Sequence, residues 1–353
     1  MKTLRLAACL LLLLPCLAMA RSEFKIVTAS ERGTYIQIGR DLSTMVAESA
    51  DVSLEVLPSK GSAENVQRLR FEPGVKLALV QSDVYQAYID RAAAGDRQAG
   101  RIIKPLRVIL PLYNEEIYFV TRADSPLKYI HEIKGKRINV GPVGSGTALS
   151  GTTLYRLMFG EALPESNASY LSNEEALSKL ATDKSLDVVM VVAGQPAKLF
   201  TDMKPEARDY IKFLRLDPAA KESAKAVRTY FPATIRSSSY PNWLNEDVPT
   251  LTVKAFLVTY DYELQKTQGA LTQFADALCG RFDALQSQGH PKWKEVKMEL
   301  PPLGKRWKYY PPMERVLRSC AAKYQPVARM NDGPEARACS QADKVLGLCS
   351  SRP

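Results

Sequence analysis

The sequence predicts an α/β protein of two lobes joined by a hinge. Short apolar strands that end in Gly/Ser/Thr turns and lead into helices occur in residues 25–89 and again in residues 116–196. Such strand–turn–helix units imply parallel sheets with helices on their faces. A strong apolar strand in residues 252–259 follows late enough to return to the first lobe. We therefore expect two crossings between the lobes, each lobe having its own sheet.

Three strand–turn–helix units form the predicted first lobe. Their strands occupy residues 25–28, 52–56 and 75–80, with helices over 36–46, 63–71 and from 83 onward. In a parallel sheet the turns after these strands converge on one edge, where α/β proteins bind ligands. The hydroxyl of Ser62 is a natural N-cap for the second helix. These turns are Ser30-Glu31-Arg32-Gly33-Thr34-Tyr35, Lys60-Gly61-Ser62 and Gln81-Ser82-Asp83.

The second lobe contains the turn that suggests a function most directly, Gly141-Pro142-Val143-Gly144-Ser145-Gly146-Thr147. It lies between an apolar strand in residues 137–140 and a helix predicted over residues 148–159. Unpaired N–H groups and hydroxyls at a helix N-terminus favour anions. Taken alone, the pattern fits a purely structural turn equally well. The lobe continues with a helix in residues 174–182, a buried strand in 187–192 and a further turn in 193–196.

A connecting stretch with Pro105 and Pro111 is expected before the second lobe, whose first strand is predicted over residues 116–121. The domain boundaries then follow from the two crossings, because each crossing divides the chain between lobes. Residues 21–112 and 250–325 form the predicted first lobe, 113–249 the second, and 326–353 a cysteine-containing tail.

The first twenty residues have the parts of a secretory signal peptide. A basic start is followed by an apolar block and by the small-residue site Ala18-Met19-Ala20. A lipoprotein box ending at Cys9 is the alternative, but no hydrophobic region precedes it. We expect a soluble periplasmic monomer that begins near Arg21.

Charge is unevenly distributed along the chain. The net charge is +10, and from residue 292 onward there are 13 basic and 6 acidic residues, whereas the preceding body is almost neutral. The basic end fits a solvated surface, an anionic membrane surface or an acidic partner. No feature points to nucleic acid.

Four cysteines remain after the predicted signal peptide: Cys279, Cys320, Cys339 and Cys349. In an oxidising compartment an even number suggests two disulfides, with three possible connectivities. We favour Cys279–Cys320 and Cys339–Cys349. No metal is expected, because there is no CxxC pair and His290 is the only histidine nearby.

Residues suited to catalysis are scarce. The chain has two histidines, His131 and His290, no G-x-S-x-G elbow, and no lysine in the turn at residues 141–147 that would make it a Walker A loop. The turns instead offer backbone N–H groups, hydroxyls, an amide and an aromatic ring, which are the groups that a binding cleft needs. We therefore expect a binding protein that has no cofactor and is not an enzyme.

Ordered motifs across residues 24–296 resemble the TAXI-type solute receptors of tripartite ATP-independent (TRAP) transporters. The family's G-T-Y-Y, G-S-x-E-N and L-x-x-x-Q-S-D are matched in the first lobe, and its G-x-x-G-S-G-T and A-G-x-P in the second. These matches are Gly33-Thr34-Tyr35-Ile36, Gly61-Ser62-Ala63-Glu64-Asn65, residues 77–83, residues 118–147, Ala193-Gly194-Gln195-Pro196 and, loosely, residues 249–259.

The resemblance implies a type II periplasmic-binding fold whose two lobes close on a small organic anion, such as a dicarboxylate or an amino acid, for delivery to a TRAP membrane permease. We expect the ligand carboxylate on residues 145–147, with Tyr35 and Ser82 supplied by the first lobe. Lys60, which replaces a small residue of the family, is a candidate charge contact. The predicted ligand-binding residues are Thr34, Tyr35, Ser62, Gln81, Ser82, Gly144, Ser145, Gly146, Thr147 and Gln195.

Two other functions stay open at this point. A periplasmic ligand sensor or orphan receptor would use the same cleft but dock with a non-transport partner through its basic end. An enzyme on the same fold would need a base in the cleft, and the scarcity of histidines counts against it. The first loop has fewer glycines than the family pattern, which weakens the case for close backbone approach to a ligand there.

Overall fold

The computed structural model describes residues 21–31, 33–303 and 307–324. The predicted signal peptide, Cys339, Cys349 and the tail from residue 326 lie outside the described residues. None of the described helices is long and apolar enough to cross a membrane.

The first part of the chain forms the predicted parallel units. Strand β1 pairs in parallel with both β2 and β3, in the order β2-β1-β3, so the three turns after these strands lie at one edge of the sheet. The elements are β1 (Ser22–Val27), α1 (Thr34–Asp41), a π-helical turn (Leu42–Ala47), β2 (Val52–Leu57), α2 (Ser62–Phe71), β3 (Val75–Gln81), α3 (Val84–Ala93) and α4 (Arg97–Ile103).

The expected connecting stretch around Pro111 is wrong. One 17-residue strand, β4 (Leu106–Arg122), runs through it. Its ladder with β10 (Val248–Tyr260) shifts register between Lys254 and Phe256, and Pro111 lies opposite Phe256 at that bulge. A bulge interrupts regular pairing, so a residue that lacks an N–H is tolerated inside the strand.

The second part of the chain contains short strands and helices. They are β5 (Ile138–Asn139), α5 (Gly146–Phe159), β6 (Ala168–Ser169), α6 (Asn173–Ala181), β7 (Val188–Ala193), α7 (Lys198–Thr201), β8 (Ile211–Phe213), α8 (Lys221–Ala226) and β9 (Phe231–Ile235). After β10 come α9 (Gln265–Gly280), α10 (Phe282–Gln288) and α11 (Pro311–Tyr324). Single 3-10 turns occupy Glu48–Ala50, Ile130–Ile133, Glu165–Asn167, Pro205–Asp209, Ser237–Ser239 and Pro291–Glu295.

The two lobes share one sheet, which corrects the expectation of a separate sheet in each. The strand order is β2-β1-β3-β10-β4-β7-β5-β6, with β8 on β4 and β9 on β10. Strand β10 pairs with β3 of the first lobe and β9 of the second, β4 pairs with β7 and β8 of the second, and β4 and β10 join the lobes as an antiparallel pair. The late strand predicted to return to the first lobe does so through its pairing with β3.

Hydrophobic cores lie on either side of this pair. One buried cluster draws on β1 to β3, the first half of β4, the end of β10, and helices α9 to α11. Two other buried clusters draw on the second half of β4, on the helices and strands of the second lobe, and on β10 as far as Val253. The Cys279–Cys320 disulfide is confirmed, with an S–S distance of 1.99 Å, and it joins α9 to α11 on the first core. The predicted α/β class with a cleft between two lobes is also confirmed.

Candidate functional site

A cleft of about 510 Å3 lies between the two lobes. Of the helices in the described part of the chain, α1, α2, α5 and α6 begin at its wall. The first two belong to one lobe and the last two to the other. The lining residues carry mostly hydroxyls, amides and backbone N–H groups. They include Ser30, Thr34, Tyr35, Ser59, Lys60, Ser62, Gln81, Glu115, Ser145, Gly146, Thr147, Ser172 and Asn173.

The turn that the sequence singled out faces this cleft. Ser145 is the N-cap of α5, and its hydroxyl oxygen accepts the Ala148 N–H at 3.0 Å. The N–H groups of Gly146 and Thr147 donate to no acceptor among the described residues. The Thr147 hydroxyl accepts the Val192 N–H at 3.2 Å, which fixes its side chain against β7. Two backbone donors at a helix N-terminus therefore remain for a ligand.

The first lobe contributes the beginnings of α1 and α2. Thr34 and Tyr35 open α1, and Ser62 opens α2. The predicted N-cap role of Ser62 is wrong, because Gly61 occupies that position with φ +122°. The Ser62 hydroxyl accepts the Gln81 N–H at 3.0 Å instead, which ties α2 to the end of β3.

Two glycines let the lobes approach closely beside the cleft. A Cβ atom added to Gly146 would lie 2.1 Å from Oε1 of Gln81, and one added to Gly61 would lie 3.0 Å from the Gly146 backbone nitrogen. The Glu64 N–H also donates across the gap to the Gly144 carbonyl at 3.1 Å. A side chain at position 146 would displace the end of the Gln81 side chain, and one at position 61 would press on the Gly146 backbone, so the glycines here have a packing reason as well as a chemical one.

Three of the predicted contacts are not on the cleft wall. The Ser82 hydroxyl accepts the Lys254 N–H at 3.2 Å and so supports the pairing of the first lobe with β10. The Gln195 side chain binds the backbone of Thr234 and Arg236, beside β9. Gly144 lines a separate groove between α3 and α5. Lys60 does border the cleft, with an exposed side chain.

The structure adds Glu115 to the cleft. It lies on β4 with 4% of its surface exposed, and the Tyr35 hydroxyl donates to its Oε2 at 2.7 Å. Burial raises the pKa of Glu115 to about 8. The pKa of Tyr35 is raised well above its usual value, by burial and by the nearby Glu115. An acidic pair, Glu115-Glu116, inside a largely apolar strand was the sequence signal for this residue.

Asn173 is a second addition. It opens α6 directly after the N-cap Ser172, and it lines the cleft. Its side-chain oxygen Oδ1 is buried and has no hydrogen-bond partner within the described residues. An unpaired buried acceptor favours a ligand that brings a hydrogen-bond donor. The pattern Ser-Asn-Glu-Glu after a strand is the helix-start signal that marks this position in the sequence.

The cleft therefore offers oriented dipoles and neutral polar groups, with few formal positive charges. Among its described lining residues, Lys60 is the cationic side chain and Glu31, Glu115 and Glu174 are the acidic ones. No group of three or more His, Cys, Asp or Glu residues in the described ranges is placed to hold a metal ion.

Solved structures similar to this chain include several binding proteins. The periplasmic binding protein BugD is 14% identical, with 86% of this chain and 95% of that chain covered and a TM-score of 0.48. A Candida albicans gene product, CA3427, with the generic periplasmic binding protein fold is 13% identical over 85% and 90%, with a TM-score of 0.46. The putative periplasmic sulfonate-binding protein SsuA of Methylobacillus flagellatus is 10% identical over 86% and 86%, with a TM-score of 0.45.

These likenesses are distant, and the fold assignment rests on the sheet order and the two cores described above. The match to a family model is more specific, since it covers residues 26–298 and so includes most of both lobes, strands β4 and β10, and every cleft residue named above. The chain belongs to the NMT1-like family.

Proposed function

We propose that this protein is a periplasmic solute receptor that binds a small organic anion between its lobes and delivers it to a TRAP-type membrane permease. The observation that carries the proposal is the convergence of four helix N-termini, two from each lobe, on one cleft. The TAXI-type motifs support the transport role, and a dicarboxylate or an amino acid is the ligand class that they imply.

Helix N-termini can replace a cationic side chain. Each carries about half a positive charge, and its unpaired N–H groups point along the axis towards a bound anion. At Gly146 and Thr147 these N–H groups have no acceptor among the described residues. An acid group seated there gains hydrogen bonds without removing a lysine or arginine from water.

Closure of the two lobes supplies the rest of the site. The lobes are joined by β4 and β10, and Thr34, Tyr35 and Ser62 face Ser145 and Thr147 across the cleft. A ligand that touches both walls binds the closed state better than the open one, and this differential affinity favours closure. A permease that recognises the closed form would then receive only the loaded receptor.

The ligand is identified by mass spectrometry of small molecules released from the purified protein, together with a thermal-shift panel of organic acids. We expect an acid in the released fraction, and a rise in Tm with that acid, because binding to the folded state alone stabilises it.

Two substitutions test the seat of the acid group. Ser145→Ala and Thr147→Ala each remove a hydroxyl that can donate to an acid group seated on the Gly146 and Thr147 N–H groups. Each should weaken binding of the identified acid roughly tenfold in isothermal titration, the loss expected for one hydrogen bond to a charged group. Ser178→Ala, at an exposed position of α6, is the matched control and should bind as the wild type does. Unchanged affinity in both cleft variants would contradict the proposed seat.

A further inference from the structure

Glu115 is a buried carboxyl group that faces the cleft and forms no salt bridge with any described residue. Its position on β4 is fixed by the ladder, with Val253 of β10 as its neighbour. The Thr252 hydroxyl donates to the Glu115 carbonyl at 2.7 Å. Within the described residues, the side chain has one hydrogen-bond partner, the Tyr35 hydroxyl on Oε2. Its other carboxyl oxygen is left for what enters the cleft.

The charged groups around Glu115 compensate a negative charge there only in part, because Lys292 lowers the pKa of Glu115 whereas Glu116 and Asp83 raise it. Lys292 lies near the same strand, but its ammonium group donates to both carboxyl oxygens of Glu295, at 2.8 and 2.9 Å, and lies 3.9 Å from Glu116. No salt bridge to Glu115 forms among the residues that the structure describes. The other titratable or charged groups that face it are Tyr35, Tyr113, Asp83, Glu116 and, across the cleft lining, Glu31, Lys60 and Glu174.

A buried carboxylate without a cation is costly, whereas a buried carboxylic acid with a hydrogen bond is not. This is the physical reason why the pKa of Glu115 lies at about 8. At neutral pH the group carries a proton, and the Tyr35 hydroxyl already occupies Oε2 as a donor. The acid proton on the remaining oxygen is then available as a hydrogen-bond donor into the cleft.

We propose that Glu115 acts in its protonated form, donating a hydrogen bond from its carboxyl group to an oxygen atom of the bound acid, and that it thereby makes anion binding depend on a proton. The inference rests on the proposed function, since it requires an anionic ligand. It makes Glu115 a specificity-determining residue that the receptor motifs do not mark. An ionised Glu115 would repel the same ligand.

The pH dependence of ligand binding follows from whether Glu115 carries its proton before the ligand binds. Below pH 8 the proton is already present, so binding takes up none. Above pH 8 the free protein has lost it, and each ligand that binds must bring one proton back to Glu115. The dissociation constant should therefore rise about tenfold per pH unit above the pKa and stay flat below it.

The first experiment needs no ligand. Carbon-13 NMR of protein labelled at the glutamate side-chain carboxyl should show a signal that is absent from Glu115→Gln and that titrates near pH 8. A Glu115 carboxyl that is already ionised at pH 6.5 would overturn the proposal, whatever the ligand proves to be.

The second experiment uses succinate as the probe, titrated calorimetrically into the full protein at pH 6.5, 7.5, 8.5 and 9.5. Wild type should lose about tenfold in affinity between the last two pH values. Glu115→Gln should bind succinate several-fold more weakly at pH 7.5, because an amide is the weaker donor, but with little change up to pH 9.5. Asp83→Asn removes a buried carboxyl outside the cleft wall whose charge raises the pKa of Glu115, so it should keep the step but with its onset moved to lower pH.

The outcomes separate the two proposals. A wild-type pH step that persists in Glu115→Gln overturns the role of Glu115 while leaving the anion receptor intact. Failure of wild type to bind succinate or any acid of the thermal-shift panel contradicts the anion receptor. In that case the Glu115 role fails with it, even if the NMR signal reports a protonated carboxyl.

Discussion

Glu115 and Glu116 are neighbours on β4, and the alternation of a strand points them to opposite faces of the sheet. Both are buried, with 4% and 5% of their surfaces exposed. Glu115 faces the cleft and is bound by the Tyr35 hydroxyl. Glu116 accepts the Gln195 N–H at 3.0 Å and lies 3.9 Å from the ammonium group of Lys292.

On β4, therefore, one glutamate lies on the wall of the cleft, and its neighbour on the opposite face is held in the scaffold. Lys292 is 1% exposed, and besides Glu295 it donates to the Asn114 carbonyl at 3.3 Å and lies over the Tyr113 ring. Lys292 thus ties the turn at Pro291–Glu295 to strand β4. Lys292 lies within salt-bridge distance of Glu116, which makes Glu116 part of the scaffold, whereas Glu115 forms no salt bridge among the described residues and lies on the cleft wall.

The largest effect should come from removing that cation. Lys292→Met leaves Glu116 buried beside an apolar side chain, and we expect a loss of about 3–5 kcal/mol in the free energy of unfolding, measured with urea. Lys294→Met, at an exposed position of the same turn, should cost little. A loss below about 1 kcal/mol for Lys292→Met would show that Glu116 does not need its cation, and the contrast between the two glutamates would fail.

Next in size is the effect of pH on stability through Glu115. Its pKa is about 8 in the folded protein and is near 4.5 in a solvated chain, so its contribution to stability is complete below pH 4.5 and is lost as pH rises towards 8. Glu115→Gln removes this dependence. Relative to wild type, the variant should gain roughly 3 kcal/mol between pH 5 and pH 8.

Urea unfolding of wild type and Glu115→Gln at several pH values measures that difference directly, because the other titrating groups are common to both proteins. A difference that does not vary with pH would mean that Glu115 is ionised when folded. The two glutamates would then be alike in charge, and their contrast would lie in their partners alone.

The smallest effect concerns a third buried carboxyl, Asp83, which joins the lobes beside the cleft. The Ser150 and Tyr230 hydroxyls of the second lobe donate to its Oδ2 at 2.6 and 2.9 Å. Burial raises its pKa to about 6. Tyr230→Phe should cost about 1–2 kcal/mol of stability at pH 7, since it removes one donor from a buried charge.

Tyr210→Phe is the matched control for this change, because the Tyr210 ring is 61% exposed. It should leave the urea midpoint where it is in wild type. Equal midpoints for the two phenylalanine variants would show that the Asp83 contact contributes nothing to holding the lobes together.

Much of the fold could be predicted from local patterns. The parallel order of β1 to β3 follows from apolar strands separated by turn residues, and the Ser145 turn could be located because a strand, glycines and a helix succeed each other there. The single sheet could not be predicted in the same way, because Pro111 breaks the strand pattern and the bulge that accommodates it depends on β10.

The site was predictable as a set of turns but not as a set of side chains. Ser82 and Gln195 stand at the right ends of their strands, yet Ser82 binds the backbone of β10 and Gln195 binds residues beside β9, which only the folded chain brings within reach. Glu115 was missed for the opposite reason, because it lies within a strand. Which face of that strand borders the cleft depends on the pairing of β4 with β10.

The proposed seat of the ligand is tested most directly by a crystal structure of the protein with the acid that it releases on denaturation. We predict an acid oxygen within about 3.2 Å of the Gly146 or Thr147 backbone nitrogen, and a second ligand oxygen at a similar distance from the free carboxyl oxygen of Glu115. A ligand bound away from these groups, or one that presents a cation to Glu115, would contradict it.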